Sequence, residues 1–284
     1  MSGRRWYRTA GRYATLTVLA LMFVFPLYMM VVNSLLPPEQ LLKKANFWVS
    51  PGDALWGGYS TAWNDGHIGE YLGNSVVVTT LIVAGQVVTA VLAAYAFAFL
   101  DFPLKRTLFV VFLTTMMIPF EVVFFVNLDT ITDFGDLPLV GDYVGFDTYG
   151  GLALPFLATG FGAFLVRQAF LSLPRDLRDA AALDGYGHFR FLTRVAIPLA
   201  RPSIAALGLF AFFGAWNQYL WPLVASTEDH RTVQVGLGFV SEGSVDQVNV
   251  AFAALVLASI PLFVLLIVFQ KQLVRGLTAG AVKG

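Results

Sequence analysis

Six stretches of the chain, at about 13–35, 72–100, 107–127, 150–173, 202–225 and 250–270, each hold the roughly 20 predominantly apolar residues that a helix needs to cross a hydrocarbon core about 30 Å thick. In hydrocarbon every backbone N–H and C=O has to be satisfied within the protein, so uninterrupted apolar runs of this length read as helices. The composition agrees, with 57% hydrophobic and only 13% charged residues. The expected fold is all-α and integral to the membrane, with six transmembrane helices. The connecting loops are too short for a separate soluble domain, so residues 1–284 read as a single transmembrane domain. The first run follows Arg4, Arg5, Arg8 and Arg12 as a signal peptide's apolar region would. It is too long for one, and no small-residue cleavage site follows promptly, which predicts a retained helix.

The net charge is zero, yet the basic residues are segregated. Of the 18, all but Lys43, Lys44 and Arg231 fall before the first run, in the "DFPLKR" turn (Lys105, Arg106), between Arg167 and Arg201, or after the last run (Lys271, Arg275, Lys283). The opposite loops carry Asp129, Asp133, Asp136, Asp142, Asp147, Glu228 and Asp229. Cytoplasmic loops retain Lys and Arg, so both termini are expected in the cytoplasm. The segment 174–201 is then the longest cytoplasmic loop.

The chain has no cysteine, and His67, His188 and His230 lie far apart, so no metal centre is expected. A G-x-x-x-x-G-K-[ST] phosphate loop is absent, so the chain is not expected to hydrolyse ATP. A self-sufficient carrier would call for paired repeats or membrane carboxylates for ion coupling, and neither is visible. A membrane enzyme would need a cluster of His, Asp or Glu, whereas the acidic 129–147 loop has five aspartates without a histidine. Nothing points to a nucleic-acid partner.

One polar segment interrupts the apolar pattern: "LSLPRDLRDAAALDGYGHFRFLTRVAIPLARP". Ser172 can cap a helix, Pro174 suits a first turn, Asp176 favours the positive helix start, and Gly185 closes the run. This predicts a helix of about 11 residues, roughly 16 Å long, with Leu177, Ala180, Ala181 and Asp184 on one side. A second short amphipathic piece carries Phe189, Phe191, Leu192 and Val195 until Pro198 and Pro202 break it. On pattern alone, this is equally a basic loop whose helix lies on the membrane surface.

The order of residues is more specific. An acidic residue, two alanines, three residues, glycine, nine residues and then aliphatic-x-aliphatic-Pro resembles the "EAA" loop of permease subunits from ATP-binding-cassette importers. The positions are Asp179, Ala180, Ala181, Gly185, Val195, Ile197 and Pro198, with Asp184 before the glycine as in sugar-type members. The family's usual Glu is Asp179 here, one methylene shorter. "FGAFLVRQAFLSLP" and "WNQYLWPL" resemble the smaller permeases of the maltose and glycerol-3-phosphate group. "IPFEV", the "VSEGSVDQVN" outer loop and the "FQKQLVRGL" tail are most similar to glycerol-3-phosphate and glycerophosphodiester importers. A sugar or oligosaccharide permease of the maltose or trehalose type is the alternative.

The resemblance implies the type I importer permease fold and a place in the bacterial cytoplasmic membrane. It also implies a second, homologous permease, an ATPase dimer that binds ATP and Mg, and an extracytoplasmic solute-binding protein. The chain itself would bind no cofactor. The 174–184 helix would dock on an ATPase, with Asp179 pairing a basic partner residue. Ala180 and Ala181 would allow close approach, Leu183, Asp184 and Gly185 would form the helix end, Phe189 would anchor the loop, and Pro198 would close the motif.

Ionisable and amide side chains inside the membrane are costly and often functional. Glu121, following Pro119 in the third run, reads either as an interfacial carboxylate reaching water or as part of the solute path. Trp216, Asn217, Gln218 and Tyr219 join Gln86 as candidates for the path or the permease interface; an interfacial aromatic belt accounts for Trp216 and Tyr219 equally well, whereas the amides Asn217 and Gln218 need partners. Pro26, Pro119, Pro155 and Pro261 predict kinks.

Overall fold

The computed structural model describes residues 3–43, 46–241 and 247–279, with side chains placed within 9–41, 46–240 and 247–270. Several expectations lie outside those residues: the side chains of Arg4, Arg5, Arg8, Lys43, Lys44, Lys271, Arg275 and Lys283, residues 242–246 of "VSEGSVDQVN", and the side chains of the tail motif from Lys271 on.

Among the described residues all regular structure is helical. In chain order the α-helices are α1 (Gly3–Leu35), α2 (Pro38–Lys43), α3 (Gly57–Asn64), α4 (Ile68–Phe99), α5 (Lys105–Thr114), α6 (Phe120–Gly135), α7 (Gly141–Val144) and α8 (Tyr149–Ala153). They continue with α9 (Gly160–Leu171), α10 (Arg175–Leu183), α11 (His188–Phe191), α12 (Ile197–Leu199), α13 (Arg201–Trp216), α14 (Leu220–Ala225), α15 (Val233–Ser241) and α16 (Val248–Ala279).

Three helices are long and apolar enough to span a membrane unbroken, over Thr9–Leu35, Ile68–Phe99 and Val248–Gln270. Pro26 and Pro261 sit inside α1 and α16 without ending them. The third, fourth and fifth apolar runs are each broken, which hydropathy alone does not reveal. The third splits at Ile118–Pro119, where α5 with its 3₁₀ extension meets α6 at 95°. The fourth splits after a 3₁₀ turn at Leu154–Phe156, and α9 departs at 55°. The fifth splits at residues 217–219, between α13 and α14. Pro119 explains the first break: it lacks an N–H and holds Ile118 extended, at ψ 113°. Pro155 stands at the second position of its 3₁₀ turn.

The chain divides into two compact units, Met1–Glu70 with Gly236–Pro261 and Tyr71–Val235 with Leu262–Gly284. In the first, Ser34 is hydrogen-bonded to Tyr59 at 2.7 Å, Tyr28 donates to Phe47 O at 2.7 Å, and Leu55 N donates to Leu35 O at 2.9 Å. Gly58 passes so close to Asn249 that an added Cβ would lie 3.1 Å from its amide nitrogen. In the second, two apolar clusters organise the packing. One joins Ala90, Val91, Ala94, Tyr95, Val166, Phe170, Ala181, Phe191, Leu192 and Leu207, and the other joins Val78, Ile82, Phe124, Ile131, Leu152, Ala215 and Trp221.

Candidate functional site

The polar interruption forms a helix that is capped as its sequence suggests at one end only. α10 runs for nine residues from Arg175, with Pro174 at the N-cap in an extended conformation and no side-chain cap. Ser172 bonds backward to Ala169 O at 2.7 Å and serves the end of α9 instead. At the other end, Gly185 adopts φ +74°. Its N–H bonds Ala182 O at 3.0 Å, and the Tyr186 N–H bonds Ala181 O at 2.9 Å. This pair of bonds is a Schellman motif, which satisfies the last carbonyls of the helix and needs a residue at ease in the left-handed region.

Pro198 shapes the path from α11 to α13. It cannot donate to Arg194 O, and the chain answers by widening into a π turn over Leu192–Ala196, where the Ile197 N–H reaches back to Leu192 O. After Ala200 the path turns by 79° into α13.

The residues singled out in the sequence fall on different sides of this segment. Ala181 is 7% exposed and belongs to the subunit's own core, against α4, α9 and α11. Ala180, Asp184 and Gly185 are exposed, Leu183 is 91% and Phe189 76% exposed, and Pro198 is half-buried. Asp179 is exposed, lines a groove of about 590 Å³ with Phe99, Phe170, Pro174, Arg178 and Phe191, and has no ionic partner among the described residues. Of the residues singled out, the outward surface therefore comprises Ala180, the two carboxylates of Asp179 and Asp184, Gly185, and two large apolar side chains, Leu183 and Phe189.

The candidate path residues also separate. Gln86 donates to Phe156 O at 2.9 Å, and Thr89 donates to Leu157 O at 2.8 Å, so both serve carbonyls at the break in the fourth run. Gly85 allows this approach, since a Cβ there would lie 2.5 Å from Leu157 Cδ2. Asn217 Nδ2 donates to Phe213 O at 2.8 Å, ending α13. Gln218 and Gln86 line a cavity of about 260 Å³ among the second, fourth and fifth runs, where Gln218 Oε1 is buried without a hydrogen-bond partner. Trp216 is buried and stacked on Phe212, and Tyr219 is exposed. Glu121 is exposed in the first turn of α6, where the free N–H groups of the helix start favour a carboxylate.

Aromatic rings bring the three breaks together. Phe120, at the start of α6, lies 4.8 Å from Phe156 and 5.7 Å from Trp221 between ring centres, while Phe156 and Trp221 are 6.3 Å apart.

Sequence reading missed a polar network at the far end of the second unit. Asn74 donates to Asp229 O and Arg231 O at 2.9 and 3.0 Å and accepts from Tyr149 OH at 2.8 Å. The Val233 N–H donates to Ser75 Oγ at 2.8 Å. Asp147, at φ +54°, accepts from Thr227 N at 2.8 Å and from Thr227 Oγ1. His230 Nδ1 lies 3.3 Å from Asp147 Oδ1 but out of line for a hydrogen bond, so the contact is electrostatic when the ring is protonated. These partners are 75 to 158 residues apart, and no local spacing announces them.

A helical membrane protein with broken spans and a short helix projecting between two of them has the architecture of an importer permease. The chain superposes with a TM-score of 0.79, at 22% identity, on a chain of a bacterial ABC transporter involved in the import of the acidic polysaccharide alginate, covering 95% of this chain and 98% of that one. Residues 86–279 match the model of the binding-protein-dependent transport system inner membrane component family, and the chain belongs to that family. It is 35% identical over 266 residues to the sn-glycerol-3-phosphate transport system permease protein UgpE of Yersinia pestis bv. Antiqua, covering 90% of this chain and 91% of the relative. It is 34% identical over 263 residues to the UgpE of Escherichia coli O157:H7, covering 89% and 90%.

Proposed function

We propose that the chain is one permease subunit of an ATP-driven, binding-protein-dependent importer of glycerol-3-phosphate or of glycerophosphodiesters such as glycerophosphocholine. It crosses the bacterial inner membrane six times, with both termini in the cytoplasm. The observation that carries this reading is 35% identity to a glycerol-3-phosphate permease across nine-tenths of the chain, joined to an exposed α10 whose end is built by the Asp184–Gly185 step.

In this reading α10 inserts into a cleft of one ATPase subunit. Ala180, Leu183 and Phe189 supply the contact, and Asp179 pairs with a basic residue there, an ion pair that its exposure leaves open to a partner. Ala181 acts from inside, seating the helix on α4 and α9. ATP and Mg are held by the ATPases, and their closure displaces α10 and rocks the membrane helices between inward- and outward-facing states. A second, homologous permease completes the path, with Glu121, Gln86 and the Trp216–Tyr219 break on this subunit's side of it, and a solute-binding protein delivers the solute from outside.

The test is uptake by the complex assembled from this subunit, its second permease, the ATPase and the binding protein in proteoliposomes. ATP-dependent accumulation of labelled glycerol-3-phosphate or glycerophosphocholine is expected. Accumulation of maltose or trehalose in their place would move the solute to the sugar class, and a subunit that purifies without an ATPase would overturn the importer reading.

A further inference from the structure

We infer that Tyr95 and His188 form a latch that makes the C-terminal end of α4 the first recipient of movement from the 174–201 segment. The inference rests on the importer reading. Tyr95 is 7% exposed, within an apolar cluster where a phenylalanine would fill the same space. A buried hydroxyl is costly unless it is hydrogen-bonded. Its partner is His188 Nδ1, 2.9 Å away at the start of α11, with the imidazole set edge-on to the phenol ring at 6.1 Å. Either the phenol donates to a neutral ring or a ring N–H donates to the phenol oxygen.

The next turn of α4 is held by the same segment. Phe99 meets Phe191 edge-on at 5.4 Å, carries the Arg178 guanidinium 5.9 Å from its ring centre, and touches Tyr95 at 5.2 Å. Hydrogen bonds and edge-on ring contacts are directional, so sliding the segment along α4 breaks them. By contrast, the covalent route to α13 passes through the π turn and the 79° bend at Ala200, a path that can flex. Tyr95 and His188 are thus positioning residues that move α10, α11 and the end of α4 as one body.

The complete complex in proteoliposomes, supplied with glycerol-3-phosphate, tests this. Tyr95→Phe removes one hydroxyl and keeps the ring, and His188→Ala removes the partner. Each is expected to lower solute imported per ATP hydrolysed about fivefold, the factor that one neutral hydrogen bond supports, while ATPase activity and assembly persist. His188→Asn puts an amide atom near the place of Nδ1 and is expected to restore the ratio.

A second readout is independent of the solute. The chain has no cysteine, so Asp101→Cys and Asp176→Cys accept a spin-label pair. Their distance is expected to stay constant when ATP and vanadate trap the complex, and to change on trapping once Tyr95→Phe is added. A distance that already changes without that substitution, or an unchanged ratio in both Tyr95→Phe and His188→Ala, would overturn the latch. Failure of the unsubstituted complex to import glycerol-3-phosphate would count against the proposed solute alone, leaving the distances to decide the latch.

Discussion

Asp147 and Thr227 are 80 residues apart in sequence, and the threonine's N–H and hydroxyl occupy the two carboxylate oxygens of the aspartate. The Asp147 N–H also bonds Ala225 O at 3.1 Å, so the segment entering α8 is fastened to the segment leaving α14. Asp147→Ala loses both side-chain bonds and keeps a left-handed backbone that alanine resists. Thermal unfolding of the purified complex is expected to show a loss of about 2 kcal/mol. Asp147→Asn, which tolerates that backbone and can accept one of the bonds, is expected to lose less than half as much.

At the break in the fourth run, Gln86→Leu combined with Thr89→Val leaves the carbonyls of Phe156 and Leu157 without their side-chain donors. Each buried, unsatisfied group costs about 1–3 kcal/mol. The double variant is expected to unfold at lower temperature and to lose uptake, whereas each single variant retains part of both. Equal stability of the double variant and the parent complex would show that the 55° bend stands without these donors.

Gly185 separates strain from contact, because a Cβ there meets nothing within 4 Å while φ is +74°. Gly185→Val costs about 1–2 kcal/mol for the left-handed backbone and is expected to fray the end of α10, seen as protease cleavage near residue 185. Gly185→Asp suits the left-handed region better, so the isolated subunit stays folded in the membrane. In the complex it is expected to abolish ATP-coupled uptake, because on the proposed docking of α10 the added side chain would stand in the contact with the ATPase.

Glu121→Gln is expected to leave assembly and α6 unchanged, as the amide fits the same helix start with only a few tenths of a kcal/mol less from the helix dipole. Uptake is the discriminating measurement: loss of glycerophosphocholine transport with glycerol-3-phosphate retained would place the carboxylate beside the choline cation. Unchanged uptake of both removes Glu121 from the path.

Much of the fold is legible in the sequence wherever the signal is local. Asp184–Gly185 marks the helix end because φ > 0 has a short list of tolerant residues, and unbroken α1, α4 and α16 follow from apolar length. The breaks at residues 118–119, 157–159 and 217–219 are not legible as breaks, since hydropathy sums composition and carries no direction. Pro119 and Pro155 point near two of them and signal only kinks. At 217–219 no proline stands in the break, and Asn217 reads as a buried amide until its bond to Phe213 O is seen. Ala181 is expected beside Ala180 on a partner-facing side, but one helical step of about 100° is enough to turn it inward. His188 has no local signal at all, because Tyr95 is 93 residues away.

The π turn at Leu192–Ala196 fixes how many residues this segment can contain. Each residue added to or removed from a helical path rotates everything beyond it by about 100°. One residue lost between 192 and 200 would therefore re-aim α13 and present a different side of it to α4 and α9. Exposed Thr193 and Leu199 are free to vary in identity, whereas the interval from Gly185 to Arg201 behaves as a gauge that sets where α13 starts.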